Sequence, residues 1–95
     1  MFIISLTYKV PTTEVDPYLE AHVEFLKEHY ENGTFLLSGR KVPRTGGIIL
    51  AKCENLEKLE EIVRRDPFLK YGIAEIDITE FNSTMVGEGL ESLLD

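Results

Sequence analysis

The histidine at position 22 stands inside a stripe of apolar residues. At about 100° per residue, Val15, Tyr18, Leu19, Val23, Phe25, Leu26 and Tyr30 fall on one arc of a helix with His22 among them, while Glu20, Glu24, Lys27, Glu28 and Glu31 fall opposite. An imidazole placed there points inward, where neighbours set its tautomer and basicity, and histidine is the side chain best suited to general acid or base work near neutral pH. The same pattern fits a core histidine satisfied by its surroundings. The second dense signal is Asp66-Pro67-Phe68, at the end of a second helix. A carboxylate that accepts from one ring nitrogen fixes the tautomer and leaves the other nitrogen as the base, so Asp66 is the candidate partner of His22. An aspartate before a proline also stops a helix and takes a local backbone bond, with Phe68 then a core plug, and spacing alone leaves both readings open.

Weaker candidates lie nearby. Ser38-Gly39 on an apolar strand can line a pocket, the glycine allowing backbone to approach a ligand, although a bulge at a strand end would use the same residues. Arg40, Lys41 and Arg44 form the most basic patch and suit a small anion such as a carboxylate, or else a solvated hairpin tip. His29 lies two turns beyond His22, roughly 10 Å along the helix, too far for the two rings to share a metal, and reads as a helix-end residue whose charge suits the carbonyl end. Cys53 has no obvious activating neighbour in sequence and reads as a buried structural thiol. No metal or organic cofactor is implied.

These residues must be positioned by a small fold. A chain of 95 residues, 43% hydrophobic and 28% charged, supports one domain with one core. A net charge of -7 and a pI near 4.8 exclude a nucleic-acid surface. No apolar run is long enough for a membrane span or a secretion signal, and a lone cysteine cannot form an internal disulfide, so a cytoplasmic location is expected.

Alternation from Phe2 to Lys9 predicts a strand, stopped by Pro11. A helix is expected from a Thr12 or Thr13 cap to about Glu31, closed by Asn32-Gly33. Thr34 to Lys41 and Gly46 to Cys53 read as a hairpin, Asn55 caps a second helix ending before Asp66, and Ile73 to Phe81 reads as the last strand. The segment 82–95 carries Leu90, Leu93 and Leu94 at helical spacing, suiting a short docking helix or a frayed tail. The order βαββαβ predicts a ferredoxin-like α+β sandwich, with two helices on one face of a four-stranded antiparallel sheet. Phe35 and Leu37 alternate with Leu36, and Ile48 and Leu50 with Ile49, so both faces of the middle strands are apolar. A second copy covering the bare face is expected, giving a homodimer.

With these residues in this order, the chain resembles the YciI-like, or YCII-related, proteins, small members of the dimeric α+β barrel group. The resemblance runs from about Met1 to Phe81. It rests on Phe2-Ile3-Ile4-Ser5-Leu6, His22 with Val23-Glu24-Phe25-Leu26, Gly33 to Gly39, Gly47-Ile48-Ile49, and Asp66-Pro67-Phe68 with Gly72 behind. It implies a ferredoxin-like fold that dimerises through its sheets, with a histidine and aspartate as the active-site pair, here His22 and Asp66. Two positions depart from the family pattern: Leu19 stands where many relatives have an arginine, and Arg40 where they have a proline. If the missing arginine binds substrate anions in the relatives, this chain either takes a different ligand or uses Arg40 instead. The related barrels include isomerases, monooxygenases and lyase-like dechlorinases, so the resemblance gives a site and leaves the reaction open.

The reading that follows is a small dimer that binds a carboxylated or enolic molecule between the first helix and the sheet. His22 would move a proton, Asp66 would orient it, and Ser38, Gly39, Arg40 and Phe68 would line the substrate site. The rival is a non-catalytic small-molecule-binding dimer using the same pocket.

Overall fold

The computed structural model describes residues 1–95. Strand β1 (Phe2–Tyr8) is followed by a helical turn α1 (Thr12–Val15), the long helix α2 (Leu19–Glu31), strands β2 (Phe35–Arg40) and β3 (Gly46–Ala51), helices α3 (Leu56–Val63) and α4 (Pro67–Lys70), and strand β4 (Ala74–Glu80). The sheet has four strands in the order β2-β3-β1-β4, every neighbouring pair antiparallel. Helices packed on one face make it an α+β ferredoxin-like fold.

β1 is central because its alternation supplies the core: Phe2, Ile4 and Leu6 are buried on the helix face, while Ile3 and Thr7 stay exposed on the other. Ile49 and Ala51 of β3 join them in register, and Val15, Phe25, Leu59, Val63 and Phe68 close the core from the helices. Side chains on the open face form rows across the strands. Leu37, Leu50, Ile3 and Thr79 make an apolar row at one end, and Lys41, Thr7 and Glu75 line the other.

Five expectations change. Pro67–Lys70 form a further short helix after the end of α3 at Val63, where only a helix stop is expected. The first helix is broken, since Asp16–Tyr18 form a 3-10 turn between α1 and α2, where Pro17 has no N–H to continue an α-helical ladder. Its first turn starts after Pro11, with neither Thr12 nor Thr13 as cap. Phe35 and Leu37 do not share a face: a β-bulge between them leaves Phe35 buried against Ala51 and turns Leu37 outward beside Leu50, 54% exposed. The C-terminal segment forms only a 3-10 turn at Glu91–Leu93. It is tied to the sheet end by Asp95, which accepts from the Met1 ammonium at 3.2 Å and from the Ser83 amide at 2.8 Å, and by Lys52, which donates to Leu94.

The other boundaries hold within a residue or two. Gly33 takes φ +84° after α2, a left-handed conformation that glycine adopts without strain. Asn55 caps α3 by accepting from the Lys58 amide at 2.8 Å. No helix is long and apolar enough to cross a membrane.

Candidate active site

α2 presents Leu19, His22, Val23 and Leu26 to the sheet at spacings of three and four, and between this ladder and β1, β2 and β3 lies a cavity of about 180 Å³. Its remaining wall is made by Leu6, Tyr8, Ser38, Gly39, Arg40, Gly46, Gly47, Ile49 and Phe68. The space exists because of a glycine: Gly47 stands on the helix face in register between Leu6 and Arg40, where any side chain would fill the floor.

His22 lines the cavity and Asp66, 44 residues on in sequence, lies buried behind it, with Nδ1 and Oδ1 2.9 Å apart. Asp66 is fully buried and serves two purposes at once. It has φ -61° and ψ 126°, the extended conformation that a following proline enforces, and so it is the N-cap of α4, its Oδ1 accepting from the Phe68 amide at 2.9 Å. Asp66 therefore starts a helix and does not stop one, since α3 already ends at Val63, and the local backbone bond and the contact with His22 fall on the same oxygen. Since that oxygen is an acceptor, Nδ1 of His22 carries the proton and Nε2, which bonds nothing in the chain, is the nitrogen with a free lone pair. The imidazole is held from the side as well, because the Phe68 ring stacks on it with centroids 4.0 Å apart and planes at 6°. Tyr8 in turn meets Phe68 edge-on at 5.8 Å. The second carboxylate oxygen of Asp66, Oδ2, is buried with no partner, so the carboxylate is not neutralised by any cation of the chain apart from a protonated His22.

β2 supplies the opposite wall. The bulge shifts its register so that Ser38 pairs with Ile49 and Arg40 with Gly47, which puts both side chains on the helix face with the cavity. Gly39 lies between them facing the open side, and a Cβ there would meet nothing within 4 Å, so its backbone alone borders the cavity. The basic patch expected from sequence is dispersed. Arg44 pairs with Asp16 at 2.7 Å and Lys41 donates to Thr7 at 3.1 Å, whereas the guanidinium of Arg40 has no partner in the chain.

His29 was expected as a charged helix end and is instead 3% exposed, between the rings of Phe25 and Phe35. Asn32 determines its state: the amide oxygen of Asn32 is taken by the Thr34 N–H at 3.0 Å, so the amide nitrogen donates to Nδ1 of His29 at 3.1 Å. Burial lowers the pKa of His29, with Arg65 adding to the effect and Glu28 opposing it. Val23 and Tyr30, read as stripe residues, are 37% and 38% exposed, and the phenol of Tyr30 hydrogen-bonds Ser38. Cys53 is half-buried. No cluster of three or more His, Cys, Asp or Glu side chains that could hold a metal ion is present.

A small α+β domain whose cavity is lined by an imidazole backed by a buried carboxylate is the class that fold and site define. The family model described as the YCII-related domain matches residues 1–82, and the chain belongs to that family. Among solved structures, it is similar to 5-chloro-2-hydroxyhydroquinone dehydrochlorinase (TftG) from Burkholderia phenoliruptrix AC1100, in complex with 2,5-dihydroxybenzoquinone. The TM-score is 0.67 at 18% identity, over 86% of this chain and 94% of that one. At that identity the likeness speaks for the fold. A search of curated proteins found no match.

Proposed function

We propose that this protein is an enzyme that moves a proton on a small carboxylated or enolic molecule, with His22 as the general base and Asp66 as its orienting partner. The observation that carries the reading is the 2.9 Å contact between Asp66 Oδ1 and Nδ1 of His22, a residue that lines a largely apolar cavity, with Nε2 left free. In the reaction, Nε2 takes a proton from an acidic O–H or C–H of the ligand, and the imidazolium that forms lies against the Asp66 carboxylate. An anionic ligand group is met by Arg40. A ring of modest size fits, because an apolar cavity of about 150 Å³ is known to take benzene and this one measures about 180 Å³. The neighbouring dehydrochlorinase, whose structure holds a single dihydroxylated ring, supports the same ligand size.

The protein works as a cytoplasmic dimer in this reading, since Ile3 and Leu37 on the open sheet face are exposed in a single copy and a second copy buries them. The test is a thermal-shift screen of one-ring hydroxy and carboxy acids, 2,5-dihydroxybenzoquinone among them, followed by turnover assays of each ligand found. His22→Gln keeps much of the volume and cannot exchange a proton near neutral pH. It should bind ligand and lose turnover, whereas His22→Ala should also lose about 1–3 kcal/mol of stability. A Gln variant fully active per folded molecule ends the proton-transfer role. Saturable binding without any product makes the protein a binding module.

A further inference from the structure

A hydroxyl at the cavity wall, and a second one bonded to it from outside the wall, are unused by that mechanism. Ser38 borders the cavity, and its Oγ has a single partner in the chain, the phenol of Tyr30. Tyr30 lies eight residues beyond Ser38 in the backward direction, at the far end of α2, roughly 12 Å along the helix from His22. Helix α2 therefore holds both walls: His22 directly, and Ser38 through Tyr30.

A serine hydroxyl has one proton and two lone pairs, and so does a phenol in effect, so the pair has two arrangements. In one, Tyr30 donates to Ser38 and the Ser38 proton points to the cavity. In the other, Ser38 donates to Tyr30, whose proton goes to solvent, which the 38% exposure of Tyr30 permits. An anionic oxygen in an apolar cavity needs donors, and it selects the first arrangement, in which Tyr30 also polarises the Ser38 O–H. Arg40 stands two residues along on the same face of β2, about 6.6 Å away at the strand rise, and has no partner of its own. A hydroxyl and a free guanidinium side by side are matched to one oxyanion.

We infer that Ser38 is a ligand-contacting donor to an enolate, phenolate or carboxylate oxygen bound beside Arg40, and that Tyr30 is a positioning residue that sets the direction of its proton. The inference rests on the proposed active site and narrows its ligand to a ring or enol whose ionised oxygen lies at β2 while its exchangeable proton lies at His22. The β2 bulge is the device that makes this arrangement, since without it Ser38 and Arg40 would face the open side with Leu36.

The probe is 4-nitrocatechol, a one-ring diol whose absorbance reports its ionisation, titrated into the full chain at fixed pH. Ser38→Ala should weaken binding about tenfold or more, the value of a hydrogen bond to a charged group, and Ser38→Thr should restore most of it. Tyr30→Phe keeps the ring against Phe35, 6.4 Å away, and should weaken binding several-fold. In the Ser38→Ala background Tyr30→Phe should have no further effect, because it acts only through Ser38. Equal weakening in both backgrounds, or none in either, overturns the inference. If Arg40→Gln weakens binding and the hydroxyl variants do not, the cavity reading stands and the inference falls. A wild-type protein that does not bind the probe, or variants that all bind alike, overturns both.

Discussion

Phe68 touches both members of the pair at once: its ring lies flat on His22 at 4.0 Å, and its amide donates to the Asp66 oxygen that holds the imidazole. Asp66-Pro67-Phe68 is therefore one device. Proline holds the aspartate extended, the aspartate starts α4, and α4 places the phenyl ring over the histidine.

Asp66→Ala should lower stability by about 1–3 kcal/mol in urea denaturation, since it removes the cap of α4 and leaves Nδ1 without an acceptor. Asp66→Asn retains an acceptor for the Phe68 amide and should recover most of that loss. Turnover should stay low in both, because the asparagine carries no charge to face an imidazolium. Full activity in the Asn variant would show that Asp66 matters for folding alone.

Stability should fall on acidification through His29. Its folded pKa lies below the unfolded value of about 6.5, so the unfolded chain binds the proton first and stability rises with pH between the two. The contribution is complete above about pH 6.5 and is lost as pH drops from there toward the folded value. His29→Leu, compared with wild type in urea at pH 7.5, 6.5 and 5.5, should remove this dependence. Parallel pH profiles for the two proteins would refute the assignment.

Gly46→Ala should be among the most damaging single changes. A Cβ at Gly46 would lie 1.8 Å from the Leu6 carbonyl oxygen, a backbone atom that cannot move without parting β1 from β3. We expect a loss of more than about 3 kcal/mol, or failure to fold, read by circular dichroism and thermal melting. Gly39→Ala, with nothing within 4 Å of its Cβ, should fold normally.

Sedimentation should give twice the 10.8 kDa mass of the chain, and Leu37→Glu should shift it toward that of one copy. Leu37 is 54% exposed and faces away from the core, so the variant should keep its fold. A single-copy mass for the wild type would leave the apolar row on the open face to another cover.

What the amino-acid order determined by itself was local: the alternation of β1, the cap at Asn55, the glycine stop at Gly33 and the extended aspartate before Pro67. Each depends on dihedral preferences or on side-chain period within a few residues, and so it can be read without knowing the rest of the chain. The family resemblance went further, implying His22 and Asp66 as a pair that spacing alone left open. Their meeting across 44 residues was decided by packing of α4 against α2. Tertiary structure also decided the bulge that turned Leu37 outward and Ser38 and Arg40 inward, since one extra residue in a strand inverts every face after it and carries no compositional mark. His29 became buried and neutral, and Tyr30 a partner of Ser38, for the same reason: which part of an amphipathic helix is covered depends on where the sheet beneath it ends.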